Sequence, residues 1–238
     1  MRIRLPVGRT LFFAAAFLFS LVALLPLRLA LGWFGFDSRG LAARQATGTV
    51  WRGALREAQF GSVPLGDVEA RLNTLPLLLG RARVSLARNE SDGRFEGAAT
   101  VSRHSFGLDD VSGRLRTAVL FAPLPIASLD LDDVTARFSG GLCAAGEGSV
   151  RAVLAGEIGG IALPSGLSGN ARCDGGALLL HLASQSGMER LNIRLFSDGR
   201  YRIDLLVRPG DSAARDLLLA AGFAPVRGGY GMRLDGRF

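Results

Sequence analysis

From Thr10 to Leu27 the chain reads TLFFAAAFLFSLVALLPL, eighteen residues without a charge. As one helix this segment reaches roughly 27 Å at 1.5 Å per residue, enough to cross a hydrocarbon core. Arg2, Arg4 and Arg9 precede it and Arg28 follows, with no further charge before Asp37. That asymmetry predicts an N-terminus in the cytoplasm and everything beyond Leu27 outside it. Pro26 falls in the last turn, where a broken backbone hydrogen bond is tolerated. Trp33, Phe34 and Phe36 suit an aromatic belt at headgroup level. A cleaved signal peptide is the competing reading. Its apolar region is ordinarily only about 7–15 residues, and the best cleavage site, Ala30-Leu31-Gly32, sits just behind Arg28. The length favours an uncleaved anchor. No cysteine follows the run, which excludes a lipoprotein, and apolarity all round the helix argues against a buried core helix. The expected organisation is a cytoplasmic N-terminus at 1–9, a transmembrane signal-anchor at 10–27, a juxtamembrane linker with a short helix at 28–48, and an exported, periplasmic β-domain at 49–238.

The net charge of +7 has to be divided before it is read. Residues 1–28 carry four arginines and no acid; the remaining 24 arginines face 21 Asp and Glu. Every basic residue is Arg. In the body the signs are interspersed, as in Asp67-Val68-Glu69-Ala70-Arg71 and in Asp109-Asp110 ahead of Arg114. A nucleic-acid binder concentrates its positive charge on a stripe or tail with interleaved aromatics. This chain does not, so no nucleic-acid partner is expected.

Past Asp37 the pattern turns to β. Ser38–Ala46 (SRGLAARQA) is short and amphipathic and is read as a two-turn helix. Ala54–Phe60 and Val68–Leu72 alternate apolar and polar residues, as strands with one buried face do. Leu191–Phe196 and Tyr201–Val207 flank Ser197-Asp198-Gly199, and Val84–Ala87 and Arg94–Val101 flank Ser91-Asp92-Gly93; Asp-Gly supplies the positive φ of a tight hairpin. The pattern Asp-Val-x-x-Arg-Leu/Phe occurs at Asp67–Leu72, Asp110–Leu115 and Asp133–Phe138. It is read as a set of similar strands, each beginning at a turn; chance resemblance between simple strands is the alternative. Leu75–Leu79 forms one helical turn, Ser212–Gly222 is a helix N-capped by Ser212, and Tyr230–Phe238 is a final strand. The fold class is mainly β: a single transmembrane helix, then an antiparallel, twisted, groove-like sheet with few short helices.

Chemistry is sparse. Cys143 and Cys173 both lie in the exported part, where an oxidising compartment permits a disulfide; two unrelated buried thiols are the alternative. His104 and His181 lack neighbours at metal-ligand spacing, and His181 reads as a solvent-facing strand residue. Ser165 lacks the G-x-S-x-G elbow. Asp130, Asp132 and Asp133 are dense but lack the glycine and ligand number of a calcium loop. No enzyme activity, metal or cofactor is expected.

At Gly48-Thr49-Val50-Trp51-Arg52-Gly53 the chain resembles the type II secretion system protein N family (general secretion pathway protein N). The resemblance extends through Pro64-Leu65-Gly66, Leu75–Gly80, Ser197–Tyr201, Leu217–Gly222 and Tyr230–Phe238. The family often has a tryptophan in the strand after Leu65-Gly66; Val68–Leu72 here has none. The resemblance implies a bitopic inner-membrane accessory of the machine that exports folded proteins from the periplasm. Its expected partners are other type II secretion components, either platform proteins or the outer-membrane secretin. Trp51 itself is read either as a core tryptophan or as an exposed anchor for a partner. A second reading of the body is a tethered β-groove that binds or guides lipid, broadly similar to AsmA-like and lipopolysaccharide-bridge folds.

Overall fold

The computed structural model describes residues 7–33, 41–61, 63–90, 93–117, 121, 124, 126–154, 156–158, 161–162 and 164–237. Phe34, Phe36 and the Ser91-Asp92 half of one expected turn lie outside these residues.

The N-terminal apolar run does not form the single helix expected over residues 10–27. Helix α1 (Val7–Ala23) stops short, Leu24–Pro26 break the ladder, and α2 (Leu27–Trp33) restarts it. Pro26 explains the break. It has no N–H to donate, and its ring biases Leu25 away from the helical region. No helix among the described residues is long and apolar enough to cross a membrane. At 17 residues, α1 sits at the short limit of spanning helices. Phe12, Phe13, Phe17 and Phe19 are each more than half exposed, so this stretch of α1 packs on nothing among the described residues of the domain.

Of the helix expected at Ser38–Ala46, Ser38–Gly40 lie outside the described residues, and from Leu41 on the chain forms strand instead. β1 (Leu41–Ala42) and β2 (Gln45–Thr49) pair one after the other with β3 (Arg52–Phe60); the edge of β3 offers hydrogen-bond partners that outweigh a nine-residue helix without a cap. From there the chain meanders through β4 (Val63–Asn73), α3 (Thr74–Leu78), β5 (Ala82–Glu90), β6 (Gly93–Val101), β7 (Ser105–Arg116), β8 (Ile126–Ser139) and β9 (Leu142–Leu154). A separate two-stranded ribbon follows, β10 (Glu157–Ile158) with β11 (Ile161–Ala162). The meander resumes with β12 (Gly166–Asp174), β13 (Ala177–Ala183), β14 (Glu189–Leu195) and β15 (Arg200–Val207), then α4 (Ser212–Ala220), β16 (Ala224–Val226) and β17 (Gly229–Arg237). All but β10 and β11 belong to one antiparallel sheet of 15 strands, in the order β1-β3-β4-β5-β6-β7-β8-β9-β12-β13-β14-β15-β17-β16, with β2 alongside β3. Helix α4 is N-capped by Asp211 and not Ser212: its Oδ1 accepts the Ala214 N–H at 2.7 Å.

A sheet this long has to coil, and the Asp-Val recurrence shows how. Its copies do not start strands. They lie inside β4, β7 and β8. Asp110 and Asp133 have φ of 54° and 53°, and Glu57 on β3 has 48°; the strand register shifts at each. These are β-bulges, which bend a strand and add twist. In each, the amide of the positive-φ residue is satisfied from the neighbouring strand. Glu57 N–H donates to Asp67 Oδ1 (2.9 Å), Asp110 N–H to Thr135 Oγ1 (3.2 Å), and Asp133 N–H to Ser112 Oγ (2.9 Å). The last two are reciprocal: each Asp-Val-Ser/Thr segment caps the other's bulge. The valine after each aspartate, Val68, Val111 or Val134, is buried.

One face of the sheet is apolar along most of its length. Register rows such as Ala171–Leu180–Ile193–Ile203–Leu234 run across β12 to β17. There the face is covered by Phe121 and Leu124 from the β7–β8 connection and by Leu218 and Phe223 at α4. Phe121 meets Tyr201 edge-on at 5.9 Å. Farther along, Val101, Phe106 and Leu108 on the same face stay exposed.

The opposite face carries a charge network centred on Asp109, the only buried carboxylate among the described residues. Its Oδ2 accepts from Thr100 Oγ1 at 2.6 Å and from Arg83 Nη1 at 3.4 Å, and its Oδ1 from Arg137 Nη2 at 2.7 Å. Burial pushes the Asp109 carboxyl up, but the Thr100 and Arg137 hydrogen bonds and the two guanidinium charges prevail and hold it below its ordinary 3.8. A carboxylate depressed in the folded state contributes stability above its unfolded value and loses it as pH falls through the folded one. Asp109→Ala should therefore cost about 2 kcal/mol at neutral pH. Denaturant titrations of Asp109→Asn between about pH 4 and pH 2 should show a shallower acid loss than the parent.

Candidate functional site

The signature Gly48–Gly53 is the hairpin joining β2 to β3, with Val50 and Trp51 at its tip and Thr49 paired to Arg52. The Thr49 hydroxyl accepts the Arg52 N–H at 3.4 Å and closes the turn. Gly48 has φ of 84°, and a Cβ there would meet Arg52 O at 2.5 Å; only glycine fits. The tip is where the sheet holds the N-terminal helix.

The connection follows from Pro26. In an unbroken helix the amide of residue 26 would bond to the carbonyl of residue 22, and proline has no such amide. Val22 O receives a long 3.4 Å bond from Leu25 N–H and the indole Nε1–H of Trp51 at 3.0 Å. Leu25 O is taken by the Val50 N–H at 3.0 Å, and Pro26 and Thr49 form an antiparallel bridge. Leu27 then turns inward and is buried against the Gly53 side of β3. A Cβ on Gly53 would lie 2.5 Å from Leu27 Cδ2 and 2.9 Å from Thr47 O. Leu27, Leu55 and Ala58 form a small second core with Leu31, Ala43, Ala46 and Leu65 around it. Trp51 is not a fully buried core residue. It is half-buried and completes the hydrogen bonding of α1. Val22, Leu25 and Leu27 were invisible to motif reasoning because their contacts span more than 20 residues of sequence; Pro26 was the available signal.

Cys143 and Cys173 are bonded to each other, with Cα atoms 5.5 Å apart. The bond spans β9 and β12 beyond Ser149–Asn170, where their regular pairing ends, and Cys143 N–H donates to Gly176 O at 2.8 Å. It replaces ladder hydrogen bonds with a covalent tie. His181 is exposed on β13, its Nδ1 2.6 Å from Asn192 Oδ1; His104 is exposed in the β6–β7 turn. Asp130 is held by Arg114 through two contacts of 2.6 and 3.2 Å. Among the described residues no three His, Cys, Asp or Glu converge as a metal site.

Two measurements check these contacts. Peptide mapping without reductant should recover the Cys143–Cys173 cross-link, and Cys143→Ala should lower stability by about 3–4 kcal/mol for a loop of this length. Trp51→Phe keeps the ring and deletes the donor. Amide hydrogen exchange at Val50 should then rise about fivefold, the equivalent of about 1 kcal/mol, while the thermal midpoint of the β-domain stays unchanged.

Comparison with known proteins adds the family. The family model described as type II secretion system (T2SS), protein N matches residues 39–233, a range that takes in the signature hairpin and all but the last four residues of β17. No curated protein and no solved structure matches the chain. With the match covering well over half of its length, the chain belongs to the type II secretion system protein N family.

Proposed function

We propose that the chain is a non-catalytic, membrane-anchored structural component of the type II secretion machine. In this reading α1 lies in the inner membrane with the N-terminus cytoplasmic, and the sheet stands in the periplasm as a docking surface for other secretion components. The observation that carries it is the Trp51–Val22 clasp: a helix exposing leucines, phenylalanines and a valine around its circumference is fixed to the sheet by directed hydrogen bonds, as a bearing point between bilayer and domain requires. The family match supports the accessory role in secretion. The disulfide suits an oxidising compartment.

The docking mode follows from the edges. The start of β17 is covered by the three residues of β16, and Met232–Arg237 has no strand on its outer side among the described residues. An unpaired run of this length accepts an added strand from a partner. Arg233 and Asp235 are tied to Asp204 and Arg202 on β15 at 2.6 and 2.7 Å, which holds their charges inward on the sheet and leaves the backbone edge accessible. A platform protein or the secretin is the expected occupant.

The lipid-groove reading has one observation of its own, the uncovered apolar stretch at Val101, Phe106 and Leu108. A single experiment separates the two. In-cell photocrosslinking from Arg233 and Arg237 should give adducts with secretion proteins, with none from His181 in the middle of the sheet. A phosphatase fused after Phe238 should be active outside the cytoplasm. Lipid adducts at Phe106, no protein adducts at β17 and unimpaired secretion after deletion would replace the scaffold reading with the groove.

A further inference from the structure

The strand register places seven features at one end of the sheet. Gly53 pairs with Ala70, Asn73 with Arg83, Val101 with Phe106, Ser105 with Ser139, Asp174 with Ala177, Leu195 with Tyr201, and Arg200 with Arg237. The Val50–Trp51 tip that holds α1 therefore shares its end with α3, with the turns after β6, β8, β12 and β14, and with the end of β17. Helix α3 is one strand away from the tip.

Helix α3 is anomalous for a connection in water. None of its residues is buried, and Leu75, Leu78 and Leu79 are 76%, 85% and 78% exposed. Scattered exposed leucines are ordinary, but a run on one protruding turn marks an interaction site. The segment Thr74–Arg81 contains no acid, and neither does the neighbouring turn Ser102–Ser105. Arg52, Arg81 and Arg103 are exposed at the same end of the sheet. Apolar side chains at a tip with arginines at the same sheet end are the composition of a loop that dips into the headgroup region of an anionic bilayer.

We infer that α3 is a second membrane contact: Leu75, Leu78 and Leu79 insert into the lipid interface beside the point where α1 enters it, and Arg52, Arg81 and Arg103 meet anionic headgroups. This rests on the reading of α1 as an anchor and adds orientation to it. One helix fixes a point and leaves the sheet free to swivel. Two adjacent contacts set the sheet upright, with the β13–β14 turn and α4 at the end away from the bilayer and the β17 edge at a fixed tilt.

The test uses the full chain in vesicles of phosphatidylethanolamine and phosphatidylglycerol. Leu78→Cys, labelled with an environment-sensitive fluorophore after the native disulfide has formed, is compared with Ala213→Cys on α4. The probe at 78 should emit to the blue and be quenched by shallow spin-labelled lipid, and the probe at 213 should not. Arg81→Gln with Arg103→Gln should lower that quenching by about half. Adding Leu75→Ser and Leu79→Ser should abolish most of it at an unchanged thermal midpoint, because α3 buries nothing in the domain. A probe at 78 as water-exposed as the one at 213, on protein that resists an alkaline wash, overturns the second contact and leaves the anchor standing. Release by the wash removes the anchor and this inference with it. Protection of position 78 only after a secretion protein is added, and not by vesicles alone, assigns the leucines to a protein partner and also overturns it.

Discussion

A carbonyl deprived of its helical donor ties the two parts of this molecule together. Pro26 leaves Val22 O without the amide it would have in a continuous helix, and an orphaned carbonyl on an apolar helix is costly where water is scarce. The Trp51 indole supplies the missing hydrogen at 3.0 Å. The neighbouring Val50–Leu25 bond and the Leu27–Gly53 contact then define how the helix meets the sheet. Each signature residue has a part in this. Gly48 lets the hairpin turn, Thr49 closes it, Val50 and Trp51 donate, and Gly53 makes room for Leu27.

The sheet has its own constraint. Fifteen strands in one antiparallel layer bury their apolar face only by coiling, and the bulges at Glu57, Asp110 and Asp133 place that bending in β3, β7 and β8. Where coiling alone does not cover the face, Phe121, Leu124 and α4 do. Asp109 lies under the same bent strands, and its arginine and threonine partners hold β5, β6, β7 and β8 together on the polar side.

Much of the fold was legible in the residues, because period-2 alternation and Asp-Gly turns are local signals. The hairpin of Leu191–Val207, the strands at Ala54–Phe60 and Tyr230 onward, and the turn at Leu75–Leu79 all follow from neighbours in sequence. The misreadings share a cause. Ser38–Ala46 is amphipathic at either period, and from Leu41 on only the distant edge of β3 decides for strand. An aspartate before a valine opens a turn or seats a bulge, and Asp110 and Asp133 bulge because Thr135 and Ser112 cap them across the sheet. Trp51 was conspicuous, yet its acceptor lies 29 residues earlier. Asp109 gave no sign of its burial, which the strand register creates.

The central claim, that Trp51 stands in for the amide Pro26 lacks, is tested most directly at the indole hydrogen. In the full-length chain carrying Trp33→Phe, Trp51 is the single tryptophan, and its Nε1–H can be followed by hydrogen exchange in lipid nanodiscs. The account predicts a protected indole that becomes rapidly exchanging in Pro26→Ala, where the new amide takes Val22 O and lets the helix run through. An indole that exchanges as fast as a free tryptophan in the parent, or one equally protected in Pro26→Ala, would contradict it.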